Sequence, residues 1–188
     1  MEDRKRVRVL QINLQKSKLA ANELNRQPCE LALITEPYVY RNKVRLLDKN
    51  KGGVYACTAM DPSQGGPRAC IRAAHHLKPW LVGTYSSRDI ATVTMEINSI
   101  RAIAASVYLD INMDVRNELF VQLVKENKDT PLLVGMDSNA HSPLWGSADL
   151  NARGLQLEQL ILSLDLHVLN RGNIPTFCTE RASSVIDV

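Results

Sequence analysis

The sequence lacks the signals that would place the protein in a membrane or in an oxidising compartment. It has no N-terminal signal peptide and no apolar run of about 18 residues, so we expect neither secretion nor a membrane span. The four cysteines form no CxxC pair, and no pair of histidines completes a zinc pattern. We therefore expect free thiols in a reducing compartment rather than a disulfide framework.

Repeats, low-complexity tracts and linkers are also missing, so the 188 residues are most simply one domain with a sizeable core. Hydrophobic residues make up 45% and charged residues 23%, which is ordinary for a soluble globular protein. The net charge of +3 permits an anionic partner without requiring one. Part of the excess positive charge comes from Arg4, Lys5, Arg6 and Arg8. These residues are either a solvated segment before the first strand or a patch that contacts phosphate or directs the protein to the nucleus.

The hydrophobic pattern predicts a mixed α/β domain. The predicted elements of the first half are a strand at 7–14, a helix at 14–27, a strand at 29–37 and several short strands between 52 and 109. Those of the second half are a helix at 113–127 with Asp114 as its N-cap, a strand at 130–136, a helix at 151–166, a strand beginning at 167–170 and a hairpin at 176–188. The consecutive strands before residue 109 indicate an antiparallel stretch.

Polar side chains stand where the predicted strands end: Asn13, Glu36, Tyr108, Asp137 and Asn139, with Asp187 on the last strand-like run. Strand ends in layered α/β folds are rigid positions from which side chains converge on one cleft. Carboxylates with amides suit Mg²⁺, and phosphoester cleavage needs such an ion with a carboxylate beside the attacking water. Each residue also has a structural interpretation, because Asn, Asp and Glu-Pro commonly form turns and a tyrosine can be a core aromatic.

Five segments in chain order carry a family resemblance: "QINLQKS", "ITEPY", "SVYLD", "GMDSNAHSPLWGS" followed by "NARG", and "SSVIDV". Together they resemble the endonuclease/exonuclease/phosphatase superfamily, and more specifically the apurinic-endonuclease-like domain of non-LTR retrotransposons of the insect R1 type. The resemblance extends over essentially the whole chain. It implies a four-layer α/β sandwich, with two packed mixed β-sheets flanked by helices and the last strand missing.

The resemblance also implies a divalent-metal site that uses Mg²⁺, for which Mn²⁺ can substitute. Glu36 would be the metal ligand, and Asn13 would be a second metal residue that helps to hold the metal-bound phosphate. Tyr108 would donate a hydrogen bond to the phosphate or to its transition state.

The remaining roles implied by the resemblance fall on the second half of the chain. Asp137 would orient and activate the nucleophilic water, and Asn139 would fix that aspartate and contact the scissile phosphate. Asp187 matches a family aspartate whose partner is a histidine. His141 is a second-tier candidate, for which the alternative is a structural role linking its loop to the "PLWGS" turn.

Two features depart from the family pattern. The usual hydrophobic residue between the acid and the amide is Ser138 here, and we expect Asp137 and Asn139 still to project to the same side of an extended segment. The closing Ser-Asp-His of the family does not occur, and the sequence contains no Asp-His dipeptide. We therefore expect a C-terminally incomplete domain, either a fragment or a degenerate copy, with severely reduced or no activity.

The function implied is that of a Mg²⁺-dependent DNA endonuclease that nicks chromosomal DNA. The nick leaves a 3′-hydroxyl as primer for a reverse transcriptase tethered in the same polyprotein. Double-stranded DNA would be the partner, with no membrane and no small-molecule cofactor, and the protein would be made in the cytoplasm and act in the nucleus. Basic residues of the segment 40–53 are candidate DNA contacts, or else simply an exposed turn: Arg41, Lys43, Arg45, Lys49 and Lys51.

Two other functions remain open. A degenerate copy would be a DNA-binding module without catalysis. A phosphomonoesterase or lipid phosphodiesterase of the same superfamily would keep the metal and change the substrate. The absence of "WxGDxN"-type strings and of membrane-docking apolar loops argues against this second alternative.

Overall fold

The computed structural model describes residues 6–58, 62–178 and 183–188. Arg4 and Lys5 of the basic cluster lie outside these residues, whereas Arg6 and Arg8 are exposed. The chain divides into two compact units. The first unit comprises Met1–Tyr108 and Asn127–Gly135, and the second comprises Leu109–Glu126 and Met136–Val188.

The described residues form strands and helices in mixed order along the chain. The strands are β1 (Val9–Asn13), β2 (Leu31–Thr35), β3 (Val39–Tyr40), β4 (Lys43–Val44), β5 (Gly53–Tyr55), β6 (Ala69–Ala73), β7 (Trp80–Leu81), β8 (Ile90–Ile97), β9 (Ile100–Tyr108), β10 (Leu132–Asp137), β11 (Phe177–Cys178) and β12 (Ser183–Ser184). The α-helices are α1 (Lys18–Arg26), α2 (Glu118–Glu126) and α3 (Ala152–Ser163). The expected mixed α/β fold is confirmed.

Two four-stranded sheets are present, with strand orders β1-β2-β6-β5 and β10-β9-β8-β7. In the first sheet β1 and β2 are parallel, and β2 pairs with β6 in antiparallel register. In the second sheet β8 and β9 form a long antiparallel pair, as the run of consecutive strands predicted. A parallel pair joined through a helix agrees with the β-α-β start expected from residues 7–37.

The core of the first unit lies between the inner faces of the two sheets. Leu33 of β2 and Ile71 of β6 belong to one buried cluster with Val93 of β8 and Ala104 of β9. Ser106, which is fully buried on β9, donates its hydroxyl to the Ile34 carbonyl oxygen at 2.9 Å. This bond satisfies a hydroxyl that would otherwise be a costly buried polar group.

Helix boundaries follow local side-chain caps. Ser17 caps α1 by accepting the Ala20 N–H, and Asn151 caps α3 by accepting the Gly154 N–H. The prediction of Asp114 as the N-cap of α2 is wrong. The helix begins four residues later, where Asn117 accepts the Phe120 N–H, while Asp114 accepts the Arg116 N–H in a turn.

The second unit contains α2, α3 and the hairpin of β11 and β12, which pair in antiparallel fashion as residues 176–188 predicted. Its buried side chains include Phe120, Trp145 and Leu157. The strand expected to begin at 167–170 is not formed. His167 and Leu169 there are exposed, so a strand in this run would not place these side chains in the core.

Cys29, Cys57 and Cys70 are free thiols, which confirms the expectation for the cysteines whose side chains are described. Within the same described residues, no helix has the length and apolar character needed to cross a membrane.

Candidate active site

Asn13 and Glu36 lie at neighbouring strand ends in the first unit. The parallel register pairs Asn13, the last residue of β1, with Thr35, the last residue of β2. Glu36 follows immediately and is half-buried. Because parallel strands end at the same edge of a sheet, the two predicted ligands flank one edge.

The backbone at this edge is strained. Gln15, Lys16 and Glu36 have φ of 47°, 56° and 45°, a left-handed conformation that costs a non-glycine residue about 1–2 kcal/mol. Two hydrogen bonds hold it: the Gln15 N–H donates to Asn13 Oδ1 at 2.7 Å, and the Lys16 N–H to the Glu36 carbonyl at 2.8 Å. Strained backbones of this kind cluster at functional sites and ligand clamps.

Tyr108, the last residue of β9, lies beneath an ion pair that the sequence did not predict. The Arg68 guanidinium stands 4.7 Å from the centroid of the Tyr108 ring. Its Nε and Nη2 donate to the two oxygens of Asp89, each at 2.5 Å, and the Tyr108 N–H donates to the Asp89 carbonyl at 2.8 Å. The Glu36 N–H donates to the Arg68 carbonyl, so Arg68 contacts two of the predicted site residues.

A cavity of about 400 Å³ opens beside Glu36 in the first unit. Its cationic lining is Lys16, Arg68 and Arg88, and its apolar lining includes Tyr38. The segment 86–89 supplies part of this arrangement, because Arg88 Nε contacts Asp89 at 3.2 Å.

Asp137 and Asp187 face one another in the second unit. They form an antiparallel bridge, and both are buried. The backbone around them is tied by hydrogen bonds on either side, from the Met136 N–H to the Val188 carbonyl at 2.7 Å and from the Ser138 N–H to the Ile186 carbonyl at 3.0 Å. Opposed residues have Cβ atoms about 4.5–5.5 Å apart, so the fold makes neighbours of two acids fifty positions apart in sequence.

The segment after Asp137 is not extended, contrary to our expectation. β10 ends at Asp137, and Asn139 has a left-handed backbone with φ of 50°. The Asn139 amide donates to the Leu109 carbonyl at 3.1 Å. Ser138, in place of the usual hydrophobic residue, donates its buried hydroxyl to the Ile186 carbonyl at 2.6 Å, so the departure changes packing around the bridge.

Arg153 is a second residue that the sequence did not single out individually. Its guanidinium donates to four carbonyl oxygens in the second unit, those of Ser138, Leu109, Asp110 and Met113. Arg153 lies in the first turn of α3, where a cation interacts unfavourably with the helix dipole. The contacts explain the position, because Arg153 joins the loop after β10 to the segment 109–113.

His141 pairs with a neighbouring acid. Its Nδ1 lies 2.9 Å from Asp149 Oδ1, and its backbone N–H donates to Asn151 Oδ1 at 3.2 Å. The ring therefore contacts the segment beyond the "PLWGS" turn rather than the turn itself. Gly154 fits closely against this loop, since a Cβ there would lie 1.8 Å from the His141 carbonyl oxygen.

The candidate DNA contacts fall on two exposed features of the first unit. Arg41 and Lys43 belong to the β3–β4 hairpin, whose tip residues Arg41 and Asn42 have φ of 50° and 57°. Arg45 follows the hairpin and is exposed, as are Lys49 and Lys51 on a short 3₁₀ helix. Lys51 donates to the Asn25 carbonyl, and the Arg41 guanidinium lies 5.3 Å from the centroid of the Tyr40 ring.

The donors at the strand edge fit a hard cation. Among the described residues, no group of three His, Cys, Asp or Glu side chains is close enough to hold an ion. Mg²⁺ does not require one, because it commonly uses one or two carboxylates and keeps several waters. The half-buried Glu36 carboxylate and the Asn13 amide oxygen provide a donor set of that kind.

Comparison with known proteins identifies a matching family model. A family described as "Endonuclease-reverse transcriptase" matches residues 102–188, which include Tyr108, Asp137, Asn139 and Asp187. A search of curated proteins finds no match.

Several solved structures resemble the chain, and two of them are the following. The endonuclease domain of TRAS1, a telomere-specific non-LTR retrotransposon, is 29% identical with a TM-score of 0.75, over 97% of this chain and 83% of that one. An endonuclease/exonuclease/phosphatase family protein from Leptotrichia buccalis C-1013-b has a TM-score of 0.57 at 10% identity, over 97% and 86% of the two chains, and shows the fold alone.

Proposed function

We propose that the protein is a Mg²⁺-dependent endonuclease that nicks DNA. The resemblance to the endonuclease domain of non-LTR retrotransposons is confirmed, and this homology supports a nuclease role. The observation that carries the proposal is the strained Glu36 beside Asn13 at the end of two parallel strands. Backbone hydrogen bonds fix the point from which the Glu36 side chain projects, and its carboxylate is a ligand type that Mg²⁺ prefers.

The first unit binds the phosphate in this proposal. Glu36 and Asn13 would hold Mg²⁺, which when bound neutralises phosphate oxygens and stabilises the charge that develops during cleavage. The Tyr108 hydroxyl donates to a phosphate oxygen. The Arg68 cation against its ring fixes the orientation of that hydroxyl and favours the ring position seen in the structure.

The roles of Asp137, Asn139 and Asp187 in this proposal follow the family resemblance. Asp137 orients the water and accepts its proton, a task for which its burial provides a low dielectric. Asn139, held by its bond to the Leu109 carbonyl, fixes the aspartate and contacts the phosphate. Asp187 opposite Asp137 is the candidate partner of a histidine, as the family pattern implies.

The product is a nick with a 3′-hydroxyl, which a reverse transcriptase of the same polyprotein can extend. The substrate would be double-stranded chromosomal DNA, and the protein would therefore act in the nucleus. Arg41, Lys43 and Arg45 would contact its phosphates, with Lys49 and Lys51 contributing less. This assignment follows from their exposure.

The test measures nicking of supercoiled plasmid with Mg²⁺ or Mn²⁺, together with DNA affinity. Since the 188 residues contain no Asp-His dipeptide, the assay compares the chain alone with the chain extended by a segment that supplies Ser-Asp-His. Asp137→Ala should reduce nicking by at least about 100-fold while DNA affinity is kept or improved, because an acid–base group and a negative charge are removed. Glu118→Gln, an exposed acid of α2, is the matched control.

Other results would point elsewhere. DNA binding without nicking in both forms of the chain would identify a binding module. Turnover of phosphoinositides without cleavage of DNA would identify a phosphatase of the same superfamily.

A further inference from the structure

We propose that the cavity beside Glu36 is a subsite for one unstacked nucleotide of the DNA strand, with its phosphate on Lys16 and Arg88 and its base on Tyr38. The proposal rests on the proposed function, because Glu36 is the residue assigned to the cation there. It adds a ligand and a subsite that the nuclease assignment does not contain.

The charge of the lining favours an anion. Lys16, Arg68 and Arg88 face the cavity, and the acids near them are Glu36 and Asp89. Arg68 uses its Nε and Nη2 on Asp89, and Arg88 uses its Nη1 on the Gln64 carbonyl. The exposed Lys16 ammonium is therefore the strongest candidate for direct phosphate contact, with Arg88 second.

Lys16 is held in place before any ligand arrives. Its left-handed backbone, with φ of 56°, is fixed by the bond from its N–H to the Glu36 carbonyl at 2.8 Å. A lysine in this conformation is unusual, because the region is populated mostly by Gly and Asn. The fold thus keeps a lysine at the rim of the cavity where Gly or Asn would be less strained.

The opposite wall suits a base or sugar. Pro37, Tyr38 and Val39 line it, and the backbone of Gly65 and Gly66 completes it. Gly66 allows this loop to pack against the hairpin, since a Cβ there would lie 2.4 Å from Val39 Cγ1. Aromatic rings beside cationic grooves bind bases by stacking, largely without regard to sequence.

The size selects the ligand. A volume of about 400 Å³ lies at the small end of ligand pockets, which span roughly 300–1,000 Å³. It can take one nucleotide, whereas stacked base pairs would have to remain outside. An inorganic phosphate would satisfy the cations without reaching the wall formed by Tyr38, whose ring has the Lys18 ammonium 5.3 Å from its centroid.

The experiment measures binding in EDTA, where no metal-dependent cleavage takes place. A fluorescein-labelled single-stranded thymidine octamer is titrated by anisotropy at several salt concentrations, and thymidine monophosphate and inorganic phosphate serve as competitors. The variants are Lys16→Asn, which removes the charge and tolerates the left-handed backbone, Lys16→Arg, which keeps the charge, and Tyr38→Leu, which removes the ring. Lys125→Asn, an exposed lysine of α2, is the control.

Lys16→Asn should weaken octamer binding and lower the slope of log K against log[salt] by about 0.7, as expected for one lost single-strand phosphate contact. Tyr38→Leu should weaken it roughly tenfold with the slope unchanged, because only stacking is lost. Lys16→Arg and Lys125→Asn should bind like the parent, and the monophosphate should compete better than inorganic phosphate.

The proposal is overturned if Lys16→Asn binds like Lys125→Asn or if the two competitors are equivalent. A loss of thermal stability shared by Lys16→Asn and Lys16→Arg would attribute the effect to folding and would also overturn it. Failure of the proposed function looks different: binding would still depend on Lys16 and Tyr38 while no metal supports nicking. Conversely, nicking that requires Asp137 with binding indifferent to Lys16 would remove only the subsite.

Discussion

The Nε of Arg153 donates to the carbonyl oxygen of Ser138 at 2.9 Å, and the same guanidinium reaches three carbonyls of the segment 109–113. A single side chain from the first turn of α3 thereby fixes the loop that follows Asp137. The Asn139 amide shares one of the same acceptors, the Leu109 carbonyl. The position of the candidate amide is thus coupled to Arg153 through the backbone.

Replacing Arg153 should loosen this loop. We expect Arg153→Lys to lower the free energy of unfolding by about 2–3 kcal/mol, since an ammonium cannot reach all four carbonyls and buried acceptors lose their donors. Urea unfolding measures the change, and amide hydrogen exchange at residues 138–141 should accelerate. The exposed Arg116→Lys provides the matched control. Equal stability of the two variants would show that the four contacts are not important to folding.

Gly154→Ala should destabilise the protein although alanine is the better helix former by about 1 kcal/mol. The added Cβ would lie 1.8 Å from the His141 carbonyl oxygen and 2.7 Å from its carbon, which are backbone atoms that cannot move independently. We expect a net loss of about 2–3 kcal/mol in chemical denaturation. Gly83→Ala is the control, because no atom lies within 4 Å of its Cβ position, and it should change stability by less than about 0.5 kcal/mol. A stabilised Gly154→Ala variant would contradict the close approach.

The Arg68–Asp89 pair should contribute more than an exposed ion pair. The two side chains are 19% and 27% exposed and form two parallel bonds, whereas those of the Lys78–Glu96 pair are 70% and 40% exposed. A double-mutant cycle with Arg68→Met and Asp89→Asn should give a coupling energy of about 1–3 kcal/mol. The same cycle on Lys78 and Glu96 should give less than about 1 kcal/mol. Similar couplings for the two pairs would show that solvent screens Arg68 and Asp89 equally well.

The buried Cys70 should make stability fall at alkaline pH. Burial raises the pKa of the Cys70 thiol well above its usual range, and the nearby Arg72 offsets this only in part. The folded state therefore keeps a proton that the unfolded state releases above its thiol pKa of about 8.5. The contribution of Cys70 to the free energy of unfolding is fully present below that pH and declines above it. We expect an added slope of up to about 1.4 kcal/mol per pH unit relative to Cys70→Ala, measured by urea unfolding between pH 8 and about 10.

Thiol labelling gives an independent check on the same residue. Cys70 should react with a disulfide reagent only after unfolding. Burial also raises the pKa of Cys57, so this thiol should react slowly in the folded protein. It should nevertheless react without unfolding, because it is only partly buried. Rapid labelling of Cys70 in the native protein would show that β6 opens readily.

Several features could be predicted from the sequence because they depend on local interactions. The apolar runs that become β1, β2 and β9 end in polar residues, so Asn13, Glu36 and Tyr108 were predicted at strand ends and are found there. Asn151 and the leucines of α3 specify a helix through a cap and a periodic face. Where the local signal was ambiguous, the prediction was wrong, as for Asp114 and for the strand at 167–170.

The tertiary structure alone decided which distant residues meet. Arg68 pairs with Asp89, Asp137 bridges to Asp187, and Arg153 binds four carbonyls, yet none of these contacts has a local periodicity that a sequence pattern could reveal. Left-handed conformations at Glu36 and Asn139 are likewise imposed from outside, because neighbouring strands and loops supply the hydrogen bonds that offset the strain. The sequence by itself determined which residue types stand at the strand ends, whereas their conformation and partners depend on contacts that form only when the chain is packed.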